Sequence, residues 1–525
     1  MQKNTVMFVA FSTIFLLLWY FLFQPKPEQI YQQINSAQQE SKPILTEQSK
    51  EKTSAIKTEA EINNKIVETN LKESEFILEN ENCKVVFSNK GAAVKHWFIK
   101  EKNDSFVDLV LPEASPVLGN FPGSVYEVTN SGKDEITFEY TSAQGWKIVK
   151  TFKLSPDYLH KLNIKLFKLK ENAVLPDIDM NWGPGIGTDD KELKENESVT
   201  RILGYTSAMP AKLEKLKSQN NPSQLYKWVA VDNRYFLSLF MPVNSLNFSN
   251  IEVLRQSKKS APTVVLNANV KQEELEQDFS LNLFVGPKSY TYLKTFNLGF
   301  EKTVDFGFFG WLGKLALFIL FYFFKLTGNY GWAIIILTVI IQVLVLPLTL
   351  KSYKAMADMK KIQPLIKDLQ TKYKNDPKRL QVEMLNLYRT HKVNPLGGCL
   401  PLLLQLPIFW ALFQTLRNAY ELRYSPWILW VKDLSASDSL AYIGGISINL
   451  LPLIMGIGMF LQQKMTTVVS DPTQRKMMYI MPIVFTFLFW RFPSGLVLYW
   501  LTNSLVSMTV QYFVLKKKEE KNVVR

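Results

Sequence analysis

The chain has 525 residues, of which 47% are apolar, and its 35 Phe, 21 Tyr and 12 Trp indicate a part that is solvated by lipid. Much of the formal net charge of +14 lies beside long apolar runs, so we interpret it as a membrane-orientation signal and expect no direct sequence-specific binding of nucleic acid. Cys83 lies in a polar segment and Cys399 in an apolar one, which argues against a disulfide, a metal site or redox chemistry.

The first predicted element is an N-terminal transmembrane anchor at residues 1–23. Its apolar run, 6–23, has the length of a helix and no small-residue cleavage site after it, so we expect the anchor to be retained. Residues 24–74 are rich in Gln, Glu, Lys, Ser, Thr and Asn and have few aromatic residues. Because such a segment buries little apolar surface, we predict a flexible linker.

Residues 75–300 are predicted to form an antiparallel β-sandwich. Short runs such as 84–87, 136–140 and 146–152 alternate apolar and polar residues, with Gly, Asn, Asp and Pro between the runs. This pattern is typical of strands that bury one face. A domain of about 225 residues can enclose a substantial core.

A basic segment at residues 351–392 fixes the predicted topology. It carries eleven Lys/Arg against four acids between two apolar spans, and short basic loops of this kind stay in the cytoplasm. If both 306–326 and 330–350 crossed the membrane, the β domain would lie on the same side as the basic segment, in the cytoplasm. We therefore predict that 301–328 contains an interfacial helix and that 330–350 is a span.

Four further spans are predicted at 396–416, 448–463, 477–490 and 496–515. Together with 330–350 they make a helical membrane core of five transmembrane helices at 329–515, followed by a basic cytoplasmic tail at 516–525. The 477–490 run has only fourteen apolar residues, short of the roughly 20 that span a bilayer, so local thinning of the membrane is expected.

The 351–392 segment itself is predicted to be a cytoplasmic helical hairpin. Apolar residues recur at three- and four-residue steps on both arms. Between the arms, Asp376 has the position of an N-cap and Pro377 that of the first helical residue. Such a pair has little core, so mobility is expected.

Polar side chains inside the predicted spans are candidates for function, because lipid disfavours them unless they meet a partner or water. Convergence of several such residues favours a hydrated groove, whereas hydrogen bonds that hold the bundle together are the alternative. The predicted groove residues are Thr338, Gln342, Gln405, Asn503, Ser507 and Gln511.

Two motifs carry a resemblance to a known family. They are NPLGGCLPLLLQLPIF at residues 394–409 and FPSGLVLY at 492–499, and they lie in the expected order around the basic hairpin. In these segments the chain resembles the bacterial YidC insertases of the YidC/Oxa/Alb family. The resemblance implies a non-enzymatic membrane protein insertase and chaperone in the bacterial inner membrane, with the N-terminus in the cytoplasm and the large domain in the periplasm.

The resemblance also implies a mechanism and partners. Nascent membrane proteins enter a groove open to cytosol and lipid, alone or with the Sec translocon, and the hairpin and tail dock near the ribosome. The implied substrate slide comprises Leu406, Pro407, Phe409, Pro482, Leu488 and Tyr499. Bacterial members typically carry an arginine in the first core helix where this chain has Gln342.

Other classes of function fit the sequence less well. Three distant histidines, without a phosphate loop or nucleophile motif, predict no enzyme and no cofactor. The acidic group near residues 177–190, which includes Asp189, is explained by a turn-rich surface loop. A small-solute transporter with a β-sandwich sensor or carbohydrate-binding domain is the main alternative, although no internal repeat supports it.

Overall fold

The structure is a computed structural model, and it describes residues 72–112, 114, 116–189, 199–206, 210–213, 220–222, 226–255, 260–394, 400–443, 446–466 and 472–523. The predicted anchor at 1–23 and most of the predicted linker lie outside these residues. The chain divides into two compact units. One contains residues 353–398, and the other contains 67–352, 399–467 and 475–525, which include both the β domain and the helical core.

The β domain is built from seventeen described strands: β1 (Glu75–Glu79), β2 (Cys83–Ser88), β3 (Ala93–Lys100), β4 (Phe106–Asp108), β5 (Glu127–Ser131), β6 (Glu135–Thr141), β7 (Trp146–Lys153), β8 (Leu159–Lys168), β9 (Asp179–Trp182), β10 (Arg201–Tyr205), β11 (Ala211–Lys212), β12 (Asn220–Pro222), β13 (Trp228–Asp232), β14 (Phe236–Pro242), β15 (Phe248–Leu254), β16 (Thr263–Ala268) and β17 (Glu276–Pro287). They form sheets of order β1-β2-β3-β4, β11-β10-β13-β14-β17-β8-β7-β6-β5 and β12-β15-β16-β9.

All the pairings in these sheets are antiparallel, as the alternating pattern predicts. Strand β7 illustrates the cause, since Trp146, Ile148 and Phe152 are buried while Lys147, Val149 and Thr151, on the other face, are half-buried. Side chains from the three sheets, among them Phe87, Phe138 and Trp182, join one apolar core. Each large side chain buried in this way contributes roughly 1.5–3 kcal/mol to stability.

The described helices are α1 (Tyr290–Leu293), α2 (Gly310–Thr327), α3 (Tyr330–Lys361), α4 (Gln363–Lys372), α5 (Pro377–Thr390), α6 (Leu400–Asn418), α7 (Leu450–Thr466), α8 (Pro472–Phe489) and α9 (Ser494–Val523). A short hairpin of β18 (Ala441–Ile443) and β19 (Ile446–Ile448) precedes α7. Helix α2 packs on α6, and α9 packs on α6 and α7. A Cβ at Gly313 would lie 2.6 Å from Thr415 Oγ1, so the glycine allows the close approach of α2 to α6.

Helices α2 and α3 are the two described helices that are long and apolar enough to cross a membrane. Length and composition therefore do not distinguish the predicted interfacial helix from the predicted span, and the interfacial position of 301–328 stays a prediction. Helix α3 continues beyond the predicted end at residue 350 and passes through Pro347. Membrane helices tolerate an internal proline when neighbouring groups satisfy the freed carbonyl.

The hairpin arms are helical, as predicted, but the first arm is interrupted. Helix α4 begins at Gln363 with Pro364 in its first turn, where the missing amide hydrogen is not needed. The N-cap prediction for the second arm is confirmed, since the Asp376 carboxylate accepts a hydrogen bond from the Arg379 amide at 3.0 Å.

Lys150 is the exception to the apolar lining of β7. Its side chain is fully buried, and its Nζ donates to Leu118 O and, at 3.0 Å, to Asn120 Oδ1. Burial lowers the pKa of this amine to about 7, because the charged form loses its hydration. The two hydrogen bonds hold the loop of residues 118–120 against β7.

We expect the contribution of Lys150 to stability to depend on pH. In the unfolded chain its pKa is near 10.5, so folding releases a proton between pH 7 and 10.5. Stability should therefore fall as the pH falls through this window, by on the order of 1 kcal/mol per pH unit. Lys150→Met should abolish this slope, and the melting temperature of the purified protein in detergent at pH 7, 8 and 9 measures it.

The control for this experiment is Lys153→Met, which removes an exposed lysine from the same strand. It should retain the wild-type pH dependence. Equal slopes for wild type and Lys150→Met would contradict the assignment of the effect to the buried amine.

Candidate functional site

One face of α9 carries polar side chains at every fourth residue. Tyr499, Asn503, Ser507 and Gln511 follow this spacing, which places them in one line along the helix. Tyr499, Ser507 and Gln511 are buried and Asn503 is half-buried. The line therefore points into the helical core, where polar groups need partners or water.

Helix α3 reaches this line through Gln342. Its Nε2 donates a hydrogen bond to Asn503 Oδ1, so the two amides connect α3 to α9. Gln342 Oε1 and Asn503 Nδ2 make no hydrogen bond with the part of the chain that the structure describes. Because both residues are only half-buried, these two atoms can bind water.

Helix α6 contacts the same line at Tyr499, one helical turn before Asn503. Gln405 Nε2 donates to the hydroxyl of Tyr499, and Tyr499 is otherwise enclosed, with 1% of its surface exposed. Hydrogen bonds between membrane helices contribute about 0.6 kcal/mol each. Two such bonds add little to overall stability, but they fix which faces of α3 and α6 meet α9.

The remaining predicted groove residues differ in how many hydrogen-bonding atoms they leave free for water or a ligand. Thr338 is fully buried, and its hydroxyl donates to Ile334 O of its own helix at 2.7 Å, so it offers little to a ligand. Ser507 lies on the α9 line between Asn503 and Gln511. Gln511 Oε1 is buried without a hydrogen-bond partner among the described residues, and bound water commonly satisfies such an atom.

Of the predicted slide residues, Phe409 belongs to an aromatic cluster of α6, α8 and α9. The Phe409 ring lies 5.1 Å from that of Trp500 and 6.4 Å from that of Phe489. Leu406, Pro407 and Leu488 are half-buried and Pro482 is buried. The hydroxyl of Tyr499 instead accepts the bond from Gln405, so Tyr499 lies where the aromatic cluster meets the polar line.

Sequence reasoning missed a buried ion cluster at the junction between the β domain and the helical core. Arg423, which follows α6, has 3% of its side chain exposed, and its Nε lies 2.9 Å from Glu101 Oε2. Its second partner is Asp189, at 2.5 Å. The interpretation of these acids as a turn-rich surface loop does not account for Asp189, because Arg423 and the hydroxyl of Tyr424 both bind it.

A second set of bonds at the junction involves Glu421. Its Oε1 accepts hydrogen bonds from Ser289 Oγ at 2.9 Å and from the Thr291 amide at 3.2 Å. Nearby, Arg234 Nε donates to Arg417 O at 2.9 Å. Charged residues directly after an apolar span were the one signal in the sequence, and their distant partners could not be read from it.

Comparison with known proteins identifies the family. Residues 322–521 match the family described as 60Kd inner membrane protein, and residues 120–320 match the YidC periplasmic domain. The membrane protein insertase YidC of Endomicrobium trichonymphae is 56% identical over 518 residues, 98% of each chain. That of Syntrophus aciditrophicus is 36% identical over 477 residues, 85% of this chain and 86% of the relative.

Among solved structures, a crystal structure of an active YidC insertase with the first transmembrane domain resolved matches 84% of this chain and 93% of its own, with 23% identity and a TM-score of 0.40. The sequence matches decide the assignment, since they cover the β domain and the helical core together. The family is a membrane insertase and not an enzyme. The chain therefore belongs to the YidC family and is an inner-membrane protein insertase with a periplasmic domain and a helical membrane core.

Proposed function

We propose that the polar segment of a nascent membrane protein enters a hydrated groove, open to cytosol and lipid, between α3, α6 and α9. The groove residues are Thr338, Gln342, Gln405, Asn503, Ser507 and Gln511. The contact between Gln342 and Asn503 carries this proposal, since each amide keeps an unbonded atom at a half-buried position. Water held there lowers the cost of bringing a polar segment into the core.

The apolar segment of the substrate leaves the groove along α6 and α8. The residues of this slide are Leu406, Pro407, Phe409, Pro482, Leu488 and Tyr499. Its support is the exposed apolar surface beside it, where Ile483 and Phe487 are 57% and 71% exposed. Pro407 and Pro482 each remove a backbone hydrogen bond inside their helices, which favours the bending that a lateral exit requires.

The hairpin of residues 351–392 receives the substrate and, with the basic tail 516–525, docks near the ribosome. Supporting this role, α4 and α5 pack on each other with few buried side chains, such as Ile366, and leave most lysines exposed. A pair with so little core opens at low cost in free energy. The protein works alone or beside the Sec translocon.

The orientation follows from the charge bias. Residues 351–392, 464–476 and 516–525 lie in the cytoplasm, and 24–328 lies in the periplasm or at its membrane surface. This arrangement has six crossings, one in the anchor and five in the core, with the N-terminus in the cytoplasm.

Labelling of single cysteines tests this orientation. Glu81→Cys and Lys367→Cys place exposed thiols in the β domain and the hairpin, in a background with Cys83→Ala and Cys399→Ala. An impermeant maleimide added to intact spheroplasts should label position 81 only, and position 367 should react after lysis. Labelling of both positions before lysis would contradict the proposed topology.

Substitution of Gln342 tests the groove. Gln342→Leu removes the hydrogen-bonding capacity of the site and favours drying, so it should slow insertion several-fold, whereas Gln342→Arg keeps water and adds charge and should slow it less. The measurement is insertion of single-span substrates, with a neutral or an acidic polar tail, into proteoliposomes that contain each variant.

Val343→Leu is the matched control, because Val343 follows Gln342 on α3 and is 60% exposed. It should insert both substrates at the wild-type rate. Wild-type activity of Gln342→Leu on both tails would refute a hydrated site at this position.

Replacement of residues 363–390 by a flexible linker tests the hairpin. Insertion should be impaired while the amount of protein in the membrane stays nearly constant, because the hairpin adds little to the membrane core. A second variant keeps the helices but carries Lys367→Gln, Lys372→Gln and Lys378→Gln. It shows whether insertion needs the positive charge of the hairpin or only its helical structure. Normal insertion by the linker variant would contradict the proposal that the hairpin receives the substrate.

A further inference from the structure

A cavity of about 520 Å³ lies at the junction between the β domain and the helical core. Its walls include Lys102 and Tyr158 from the β domain, Phe324 from the end of α2, Tyr330 from the start of α3, and Tyr420 and Glu421 from the segment after α6. The volume falls within the range of sites for small molecules, roughly 300–1,000 Å³. The groove and the slide do not use this cavity.

The polar groups in the cavity favour an anion. Lys102 Nζ donates to Glu421 O at 2.6 Å and to Tyr420 O at 3.4 Å, which leaves one of its three N–H donors for a ligand. The hydroxyls of Tyr158, Tyr330 and Tyr420 have no hydrogen-bond partner among the residues that the structure describes. The cavity thus offers a cation and three phenol donors.

Glu421 is the acidic group in the cavity wall, and its charge suits the ammonium of a zwitterionic head group. Its Oε1 accepts bonds from Ser289 and Thr291, whereas its Oε2 is buried without a hydrogen-bond partner among the described residues. Lys102 bonds the backbone oxygen of the same residue and offsets the carboxylate charge. The paired charges leave the cavity near neutrality, which suits a head group that combines a phosphate with an ammonium.

The surroundings of the cavity place it beside lipid. The ring of Phe324 in α2 stacks on that of Tyr330 in α3 at 4.0 Å, and these are the two described helices that are long and apolar enough to cross a membrane. Within one turn of Phe324, Tyr322 and Leu326 are 54% and 66% exposed. Exposed tyrosines and tryptophans at helix ends, such as Trp332 here, are typical of the head-group level of a bilayer.

We propose that this cavity binds the phosphodiester head group of a membrane phospholipid. The phosphate accepts hydrogen bonds from Lys102 and the tyrosine hydroxyls, the acyl chains follow the exposed apolar side of α2, and an ammonium on the head group packs against the aromatic rings. Bound in this way, a lipid contacts the β domain and the helical core at once. The site would make the junction sensitive to the head groups of the outer leaflet.

Native mass spectrometry of the full-length protein in non-ionic detergent tests the proposal, with short-chain phosphatidylethanolamine as the probe. Lys102→Met and Tyr158→Phe each remove a donor, and loss of a charge-assisted hydrogen bond should weaken binding about tenfold for Lys102→Met. Tyr158→Phe keeps the ring and the packing, so a smaller loss is expected. Lys100→Met is the matched control, since Lys100 is exposed on β3 and pairs with Asp104.

The outcomes separate the lipid from other sources of phosphate. Weaker lipid binding in both variants and unchanged binding in Lys100→Met would support the site. Wild-type lipid binding in both variants would overturn it, whatever happens to their melting temperatures. Inorganic phosphate that displaces the lipid at equal concentration would overturn the lipid assignment in favour of a free anion.

Discussion

The helical core depends on one constraint, which is that polar side chains within lipid need a partner or water. Helix α9 meets it by presenting Tyr499, Asn503, Ser507 and Gln511 on one face, and Gln405 and Gln342 bond two of them from α6 and α3. Apolar contacts are non-directional, whereas the amide hydrogen bonds fix which faces of the three helices meet. A face that carries these amides is also a face that can hold water, so the proposed groove uses the same residues as the helix contacts.

A second constraint acts at the junction of the β domain with the core. Arg423 is enclosed between Glu101 and Asp189, and removal of one partner from a buried ion pair generally costs about 3–5 kcal/mol. Glu421 adds bonds to Ser289 and Thr291 in the same place. These contacts join the β domain to the segment that directly follows α6. The β domain thereby fixes the end of a helix that also supplies Gln405 to the groove face.

Local patterns in the sequence predict much of this structure, and distant pairings do not. Alternation in β7 and the spacing on α9 depend on neighbouring residues, so both are visible in the sequence, as is the Asp376 cap. Arg423 pairs with Asp189 and Glu101, which are 234 and 322 positions away in the sequence. A linear sequence contains no sign of such distant partners. Tyr499 is an intermediate case, because the resemblance places it on the substrate slide while its hydroxyl accepts a hydrogen bond from Gln405.

The amide at position 342 is consistent with the rest of the groove face. The resemblance to the family implies an arginine at this position, and a guanidinium in the core must stay hydrated or find an anion because its burial is costly. Gln342 instead bonds Asn503, a second neutral amide, and each retains one atom for water. Neutral amides cost less to bury, so a groove at this position, as proposed, leaves no charge unpaired when it is empty. On that proposal, we expect its affinity for a polar segment to depend on hydration more than on the sign of the substrate's charge.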